Sequence, residues 1–368
     1  MVQLDFEKLK HTPQYQTLQV LNENGEVVNQ DMMPDLTDDQ LVDLFKQMIW
    51  SRIVDDRTTK LNRQGRLGFF APTAGEEASQ MASNYAMTKD DYLLGGYRDV
   101  PELVKHGLPL AKAFMWSKGM VNGNKYEADL NAMPPQIIIG AQYVQTAGVA
   151  LGLKKKGSKA LAYTYTGDGG TSQGDFYEGM NFAGAFKAPA LFIVQNNLYA
   201  ISVPRELQTA APVLAQKAVA VGIPGVVVDG MDALAVYTAA KQARDYIVAG
   251  NGPVMLETLT YRYGPHTLSG DDPKRYRTKE EEDAWHAKDP LTRMRKFLTA
   301  KGIWSEEQET AYEKEVEAEI DDAIHEVESQ PAESVTEYLK NEFVETPPAI
   351  QKQIDEYTAK EGKESWLN

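Results

Sequence analysis

Apolar residues settle into a helical rhythm at Leu41, Leu44, Phe45, Met48 and Ile49, three and four positions apart, so a helix with one apolar face is expected there. Thr37 and Gln40 stand at capping-box spacing and mark its start. Residues 1–36 have no sustained period. Within them "NENGEVV" offers a turn between short extended pieces, and the segment reads as an irregular arm available to lie on a partner. After the loop "NRQGRLGFFAPTAG" a second helix is expected from near Glu76. "PPQIIIG" at 134–140 then leads into a third, rich in Gly140, Ala141, Ala147, Gly148 and Gly152, small residues whose spacing permits close backbone approach.

From residue 159 the pattern alternates. "KALAYTYT", "PALFIVQ", "GVVVD" and "PVMLETLTY" read as strands, separated by helical "SQGDFYEGMNFAGAF", "PVLAQKAVAVG" and "DALAVYTAAKQARDYIVAG". Such βα units predict an α/β fold, a mainly parallel sheet with helices on both faces. Roughly 17 helical residues at ~1.5 Å climb about 25 Å, close to seven strand residues at ~3.3 Å, so each crossover returns the chain to its start. The carboxyl ends of successive strands then share one edge, where open α/β sheets bind ligands. Residues 261–290 carry too many turn formers and charges over too long a span for a simple connector, which predicts a functional loop. Beyond Ser305, residues Tyr312, Val316, Ile320, Ile324 and Val327 form an apolar stripe on an acidic helix, followed by a polar tail. The resulting division is an arm at 1–36, an α/β domain at 37–290 that includes the 261–290 loop, and a helical region at 291–368.

Composition narrows the chemistry. A hydrophobic content of 42% over 368 residues fills a substantial core. The net charge of −15 argues against a sequence-independent grip on nucleic acid or anionic membrane. With no cysteine, disulfides, thiolate catalysis and Cys-ligated metals are excluded. No apolar run approaches the ~20 residues of a membrane span, and the N-terminus lacks a hydrophobic signal core, so a cytoplasmic protein is expected.

The candidate chemistry lies where two strands end. Asp168 follows "LAYTYT" within "GDGG", and Asn197 closes "LFIVQNN" one crossover later, so both side chains reach the same edge. A carboxylate, an amide oxygen and a nearby backbone carbonyl are hard ligands suited to magnesium, whose remaining positions commonly go to phosphate and water. Gly167, Gly169 and Gly170 would admit phosphates to the backbone, and a helix from near Ser172 would aim amides at them. Other phosphate motifs fail: no Lys-Ser/Thr pair follows the glycines, and Ser172 stands where a dinucleotide fingerprint needs Gly. Each half also has a structural reading, Gly-Asp-Gly as a turn and Asn-Asn as a loop. A noncatalytic scaffold and a magnesium–nucleotide module are the alternatives.

"GDG", 26 residues and "NN" resemble the thiamine diphosphate signature. Residues 40–290, through "NRQGRLGFFAPTAGEEA", "GGYRDVPELVKHGLP", "PPQIIIGAQ" and "RYGPHTLSGDDPKRYR", are similar to alpha subunits of two-component 2-oxo acid dehydrogenases, most of all the pyruvate type of Gram-positive bacteria. Branched-chain 2-oxo acid and acetoin dehydrogenase alpha subunits are the alternatives. The resemblance implies magnesium on the Asp168 and Asn197 side chains and the Tyr199 carbonyl, with Gly169 and Gly170 close to the diphosphate. It implies Tyr97 and Arg98 on phosphate, the Ile139 backbone on the aminopyrimidine, and His266 at the diphosphate and the reacting centre. Tyr276 and Arg277 would order the catalytic loop. Read alone, these residues suit a packed Tyr beside a surface Arg, an apolar core stretch, a solvated loop His and a solvated basic cluster. Thr267 stands where eukaryotic relatives carry a phosphorylated Ser. Asp175 and Glu178 share a helix face that suits either an acidic path between cofactors or plain solvation. The resemblance further implies thiamine diphosphate-dependent decarboxylation and an α2β2 assembly whose beta subunit supplies the activating glutamate. Acetyl transfer to the lipoyl domain of a dihydrolipoyl acetyltransferase core would follow.

Overall fold

In a computed structural model, which describes residues 15–361, the expected parallel sheet has six strands. The strands of the chain are β1 (Tyr92–Gly96), β2 (Ala132–Gln136), β3 (Ala162–Gly167), β4 (Ala190–Asn196), β5 (Tyr199–Ala200), β6 (Val203–Pro204), β7 (Gly225–Asp229) and β8 (Val254–Leu259). The large sheet runs in the order β2-β1-β3-β4-β8-β7 with every pairing parallel, and β5 and β6 make a small antiparallel ribbon. Strand β4 is buried along its whole length, as a central parallel strand covered on both faces must be. One apolar layer, with Leu161, Tyr163, Tyr165 and Ile193, faces the helices Asp38–Arg63 and Ala233–Tyr246. The other, with Ala162, Phe192 and Val194, faces Ala141–Lys155 and Gly174–Phe186.

The helix Asp38–Arg63 begins at the expected capping box: Thr37 accepts from the Gln40 amide, and the Gln40 side chain accepts from the Thr37 amide. All five residues of its apolar rhythm are buried. The acidic helix Glu306–Glu328, capped by Ser305, buries Val316, Ile320, Ile324 and Val327 against that first helix and the helix Leu110–Ser117.

Strands β1 and β2 escape the sequence reading. The apolar signal of β1 is only Leu93-Leu94 between acids and glycines, and Pro134 and Pro135 disguise β2, which tolerates them as an edge strand. Residues 214–221 form a 3-10 run instead of the expected α-helix. The small residues of Ala141–Lys155 do not all serve close packing. A Cβ on Gly148 or Gly152 would touch nothing within 4 Å, whereas one on Gly179 would lie 2.5 Å from the Tyr143 carbonyl carbon, so the two helices cross at Gly179. Eight residues of the expected 261–290 loop form the helix Lys279–His286, with Trp285 stacked on Tyr261 at 5.4 Å.

Residues 18–21 of the arm pack on their own chain; residues 1–14 fall outside the described residues. Leu18 pairs with the exposed edge of β7, its amide donating to Val227 and its carbonyl accepting from Asp229. The buried Asp232 carboxylate accepts from the Val20 and Leu21 amides, both at 2.7 Å, while its other oxygen caps the helix Ala233–Tyr246. An edge strand needs a partner for its open hydrogen-bonding groups, and the arm supplies one. Among the described residues no helix is long and apolar enough to cross a membrane.

Asp232→Ala removes four acceptor contacts at a buried position, and is expected to lower stability in urea unfolding by about 3 kcal/mol and to expose residues 15–28 to protease.

Candidate active site

The carboxyl ends of β1, β3 and β4 meet at a cavity of about 430 Å³. Strand order reverses here, since β3 continues outward through β4 while its other neighbour is β1, and such switch points leave a crevice between diverging crossovers. Register sets the geometry: Gly167 of β3 is level with Gln195 of β4, so Asp168 and Asn197 emerge just beyond the same rung. Both are buried and line the cavity.

Asp168 Oδ2 accepts from Gln208 Nε2 at 2.7 Å, whereas Oδ1 is buried with no partner. Burial pushes its carboxyl above the usual range, an effect partly offset by the Gln208 amide and the Arg262 and Arg205 charges. Asn197 Nδ2 donates to Glu76 Oε1 at 2.7 Å, and its Oδ1 accepts from the Tyr199 amide at 3.3 Å. Other buried oxygens of the cavity wall also lack partners: Glu76 Oε2, Gln142 Oε1, Thr166 Oγ1 and Gln195 Oε1. Burial raises Glu76 to about 7, against the pull of Arg98, Asn197 and Arg262, and raises Asp99 to about 6. A floor of unsatisfied acceptors is costly unless a cation or donors face it. Among the described residues no three His, Asp or Glu side chains converge on a metal position, so an ion here must take amide and main-chain oxygens. The donor set fits a hard divalent cation on that account.

The cavity lining also carries cationic groups. Arg98 donates to the Pro72 carbonyl, and its Nη2 lies 2.9 Å from the His266 carbonyl and 3.2 Å from His266 Nδ1. The Tyr97 hydroxyl is 3.5 Å from His266 Nε2, with the rings edge to face. Tyr97, Arg98 and His266 therefore form one cluster in the cavity lining, and Arg262 adds a second guanidinium. Burial lowers His266 to about 4, reinforced by Arg98 and Arg262, so the imidazole stays neutral above that pH. Ile139 and Thr267 line the same cavity, as does Tyr199.

Tyr276 and Arg277 stand outside it. The Tyr276 hydroxyl donates to Asp271 at 2.7 Å, and that carboxylate also accepts the His266 amide at 2.5 Å. Arg277 is buried, donates to the Arg262 carbonyl at 2.7 Å, and lies over Tyr199 and Tyr261 with its guanidinium carbon 4.9 and 4.7 Å from the ring centroids. These residues brace the His266 loop from behind, and the solvated alternative does not hold for Arg277. Gly169 and Gly170 have an internal reason to be glycine. A Cβ at Gly170 would lie 2.0 Å from Thr166 Oγ1, and one at Gly169 2.6 Å from Ala200 Cβ. Asp175 and Glu178 are exposed.

Glu76, Asp99, Gln142, Gln195, Gln208 and Arg262 were not picked out as site residues by the sequence. Their only signal is polar character at strand ends or ahead of a buried run, as in "GEEASQMA".

The family model described as dehydrogenase E1 component matches residues 45–336. The chain is 59% identical over 349 residues to a Staphylococcus aureus protein named pyruvate dehydrogenase E1 component subunit alpha, covering 95% of this chain and 94% of the relative. A Staphylococcus epidermidis protein of the same name is 58% identical over the same shares.

Because His266 is held below its ordinary value, the unfolded chain binds the proton first. The stability that the neutral imidazole contributes is expected to be lost as pH drops through 6.5 toward 4, opposite in sign to the buried Glu76 and Asp99 carboxyls. It is therefore read without ligand as the pH-dependent difference in thermal melts between wild type and His266→Gln.

Proposed function

The chain belongs to the dehydrogenase E1 component family, and from that premise we propose that it is the alpha subunit of the decarboxylating component of a pyruvate dehydrogenase complex. The observation that carries the reading is the buried, unpartnered Asp168 Oδ1 beside Asn197, in a cavity also lined by Tyr97, Arg98 and His266. Thiamine diphosphate and Mg2+ are the cofactors. Asp168, Asn197 and the Tyr199 carbonyl hold the metal, and Arg98, Tyr97 and the Gly169-Gly170 backbone hold the diphosphate. Arg98 suits that task because its planar fork makes charge-assisted bonds to phosphate. The Ile139 main chain meets the aminopyrimidine. When bound, thiamine diphosphate supplies the electron sink for decarboxylating a 2-oxo acid.

The protein's part is positioning and proton handling. His266, neutral at working pH, can accept or donate a proton at Nε2 beside the Tyr97 hydroxyl. The loop that carries it is braced by Tyr276, through Asp271, and by Arg277, through the Arg262 carbonyl. The region 37–290 carries the site, and the helices Pro290–Ala300 and Glu306–Glu328 pack on its first helix. A beta subunit completes the site in an α2β2 assembly, and the acetyl group passes to the lipoyl group of dihydrolipoyl acetyltransferase. The cytoplasm is the proposed compartment.

Asp168→Ala is expected to abolish magnesium-dependent thiamine diphosphate binding while the fold persists; calorimetry of the assembled enzyme that finds unchanged affinity would refute the metal assignment. His266→Ala is expected to slow lipoyl acetylation about a hundredfold or more and to change cofactor affinity far less. Rates with pyruvate, 2-oxoisovalerate and acetoin in the presence of the cognate beta subunit should rank pyruvate first.

A further inference from the structure

We propose that Glu76 is a positioning residue that fixes which end of the Asn197 carboxamide faces the cation. The inference rests on the magnesium reading above and deepens it. A carboxamide has two ends of nearly the same shape and opposite chemistry. Oδ1 can ligate a metal ion, and Nδ2 can only repel it. Asp168 has no such problem, because both of its terminal atoms are oxygen and either serves. Asn197 must be held one way round.

The structure supplies the device. Glu76 Oε1 accepts from Asn197 Nδ2 at 2.7 Å, and an acceptor in that place selects the NH2 end. The Tyr199 amide donates to Oδ1 at 3.3 Å and selects the same orientation, through a longer contact. Flipping the amide would set Oδ1 against a carboxylate oxygen and Nδ2 against an N–H, two repulsive contacts replacing two attractive ones. Glu76 is itself held: its amide donates to Thr73, the carbonyl of the preceding Gly75 accepts from Thr260, and the Tyr263 amide is bonded to Ala74. It is fully buried, and its other oxygen is an unpartnered atom of the cavity wall. What matters at position 76 is an acceptor in that place, and a carboxamide oxygen would meet the requirement.

The test uses the full chain assembled with its beta subunit, thiamine diphosphate, and Mn2+ as a spectroscopic stand-in for Mg2+, its affinity read by electron paramagnetic resonance. Outer-sphere partners of metal ligands are typically worth ten- to a hundredfold in affinity. Glu76→Met, similar in volume and without an acceptor, is expected to weaken Mn2+ binding about tenfold to a hundredfold, with the melting temperature of the metal-free protein serving as the fold control. Glu76→Gln is expected to stay within about threefold of wild type. Wild-type affinity in Glu76→Met, or a tenfold loss in Glu76→Gln, overturns the proposal; the Gln variant decides alone if the Met variant does not fold. If Asp168→Ala loses Mn2+ while Glu76→Met keeps it, only the Glu76 assignment fails. If wild type shows no thiamine diphosphate-dependent Mn2+ binding, the metal reading falls and takes the Glu76 role with it.

Discussion

The level pairing of β3 with β4 is the constraint on which the site depends. Six consecutive rungs, from Ala162 against Ala190 to Gly167 against Gln195, fix where both strands end. Side chains alternate along a strand, so a slip of one residue would turn Asp168 or Asn197 away from the cavity. The apolar sets on the two faces of these strands prevent that slip, because each would then meet the wrong helical layer. Core packing and ligand geometry are therefore one requirement in this molecule.

Around those tips groups of both polarities gather. The cavity lining holds both buried acceptors without partners and the Arg98 and Arg262 guanidinium groups with the neutral imidazole. Their burial costs desolvation energy, visible in the raised carboxyl groups of Glu76 and Asp99. A ligand that carries a cation at one end of its charged tail and anionic oxygens along it satisfies both sets together. The His266 loop is held by a second layer: Asp271 joins the His266 amide to Tyr276, and Arg277 lies on the rings of Tyr199 and Tyr261.

Much of this was legible in the chain. The helical rhythm from Leu41, the βα alternation after residue 159 and the Asp168/Asn197 pairing depend on local period and on crossover length, which one sequence carries. Strands β1 and β2 were not legible, because β1 presents only two apolar residues and β2 hides two prolines on a sheet edge. The docking of the arm on its own chain was not legible, since nothing local announces that Asp232 will bind Val20 and Leu21. Glu76 and Gln208 were not legible for the same reason: a residue that hydrogen-bonds Asn197 or Asp168 from a distant segment acts through long-range proximity, with no spacing of its own. The glycines of "GDGG" were legible as required, although Thr166 and Ala200 already forbid a Cβ at Gly170 and Gly169 before any phosphate is considered.

Docking of the arm has a consequence for the order in which the molecule is made. Arg293 is buried and donates to the Leu21 carbonyl across 272 positions of sequence, and to Asp229 at the tip of β7. The Leu21 carbonyl cannot meet Arg293 until the helix Pro290–Ala300 has been translated, whereas its neighbours' partners, β7 and Asp232, are made earlier. The clasp between Leu21 and Arg293 thus closes after the other anchors of residues 18–21, and so distant a contact is slow to form.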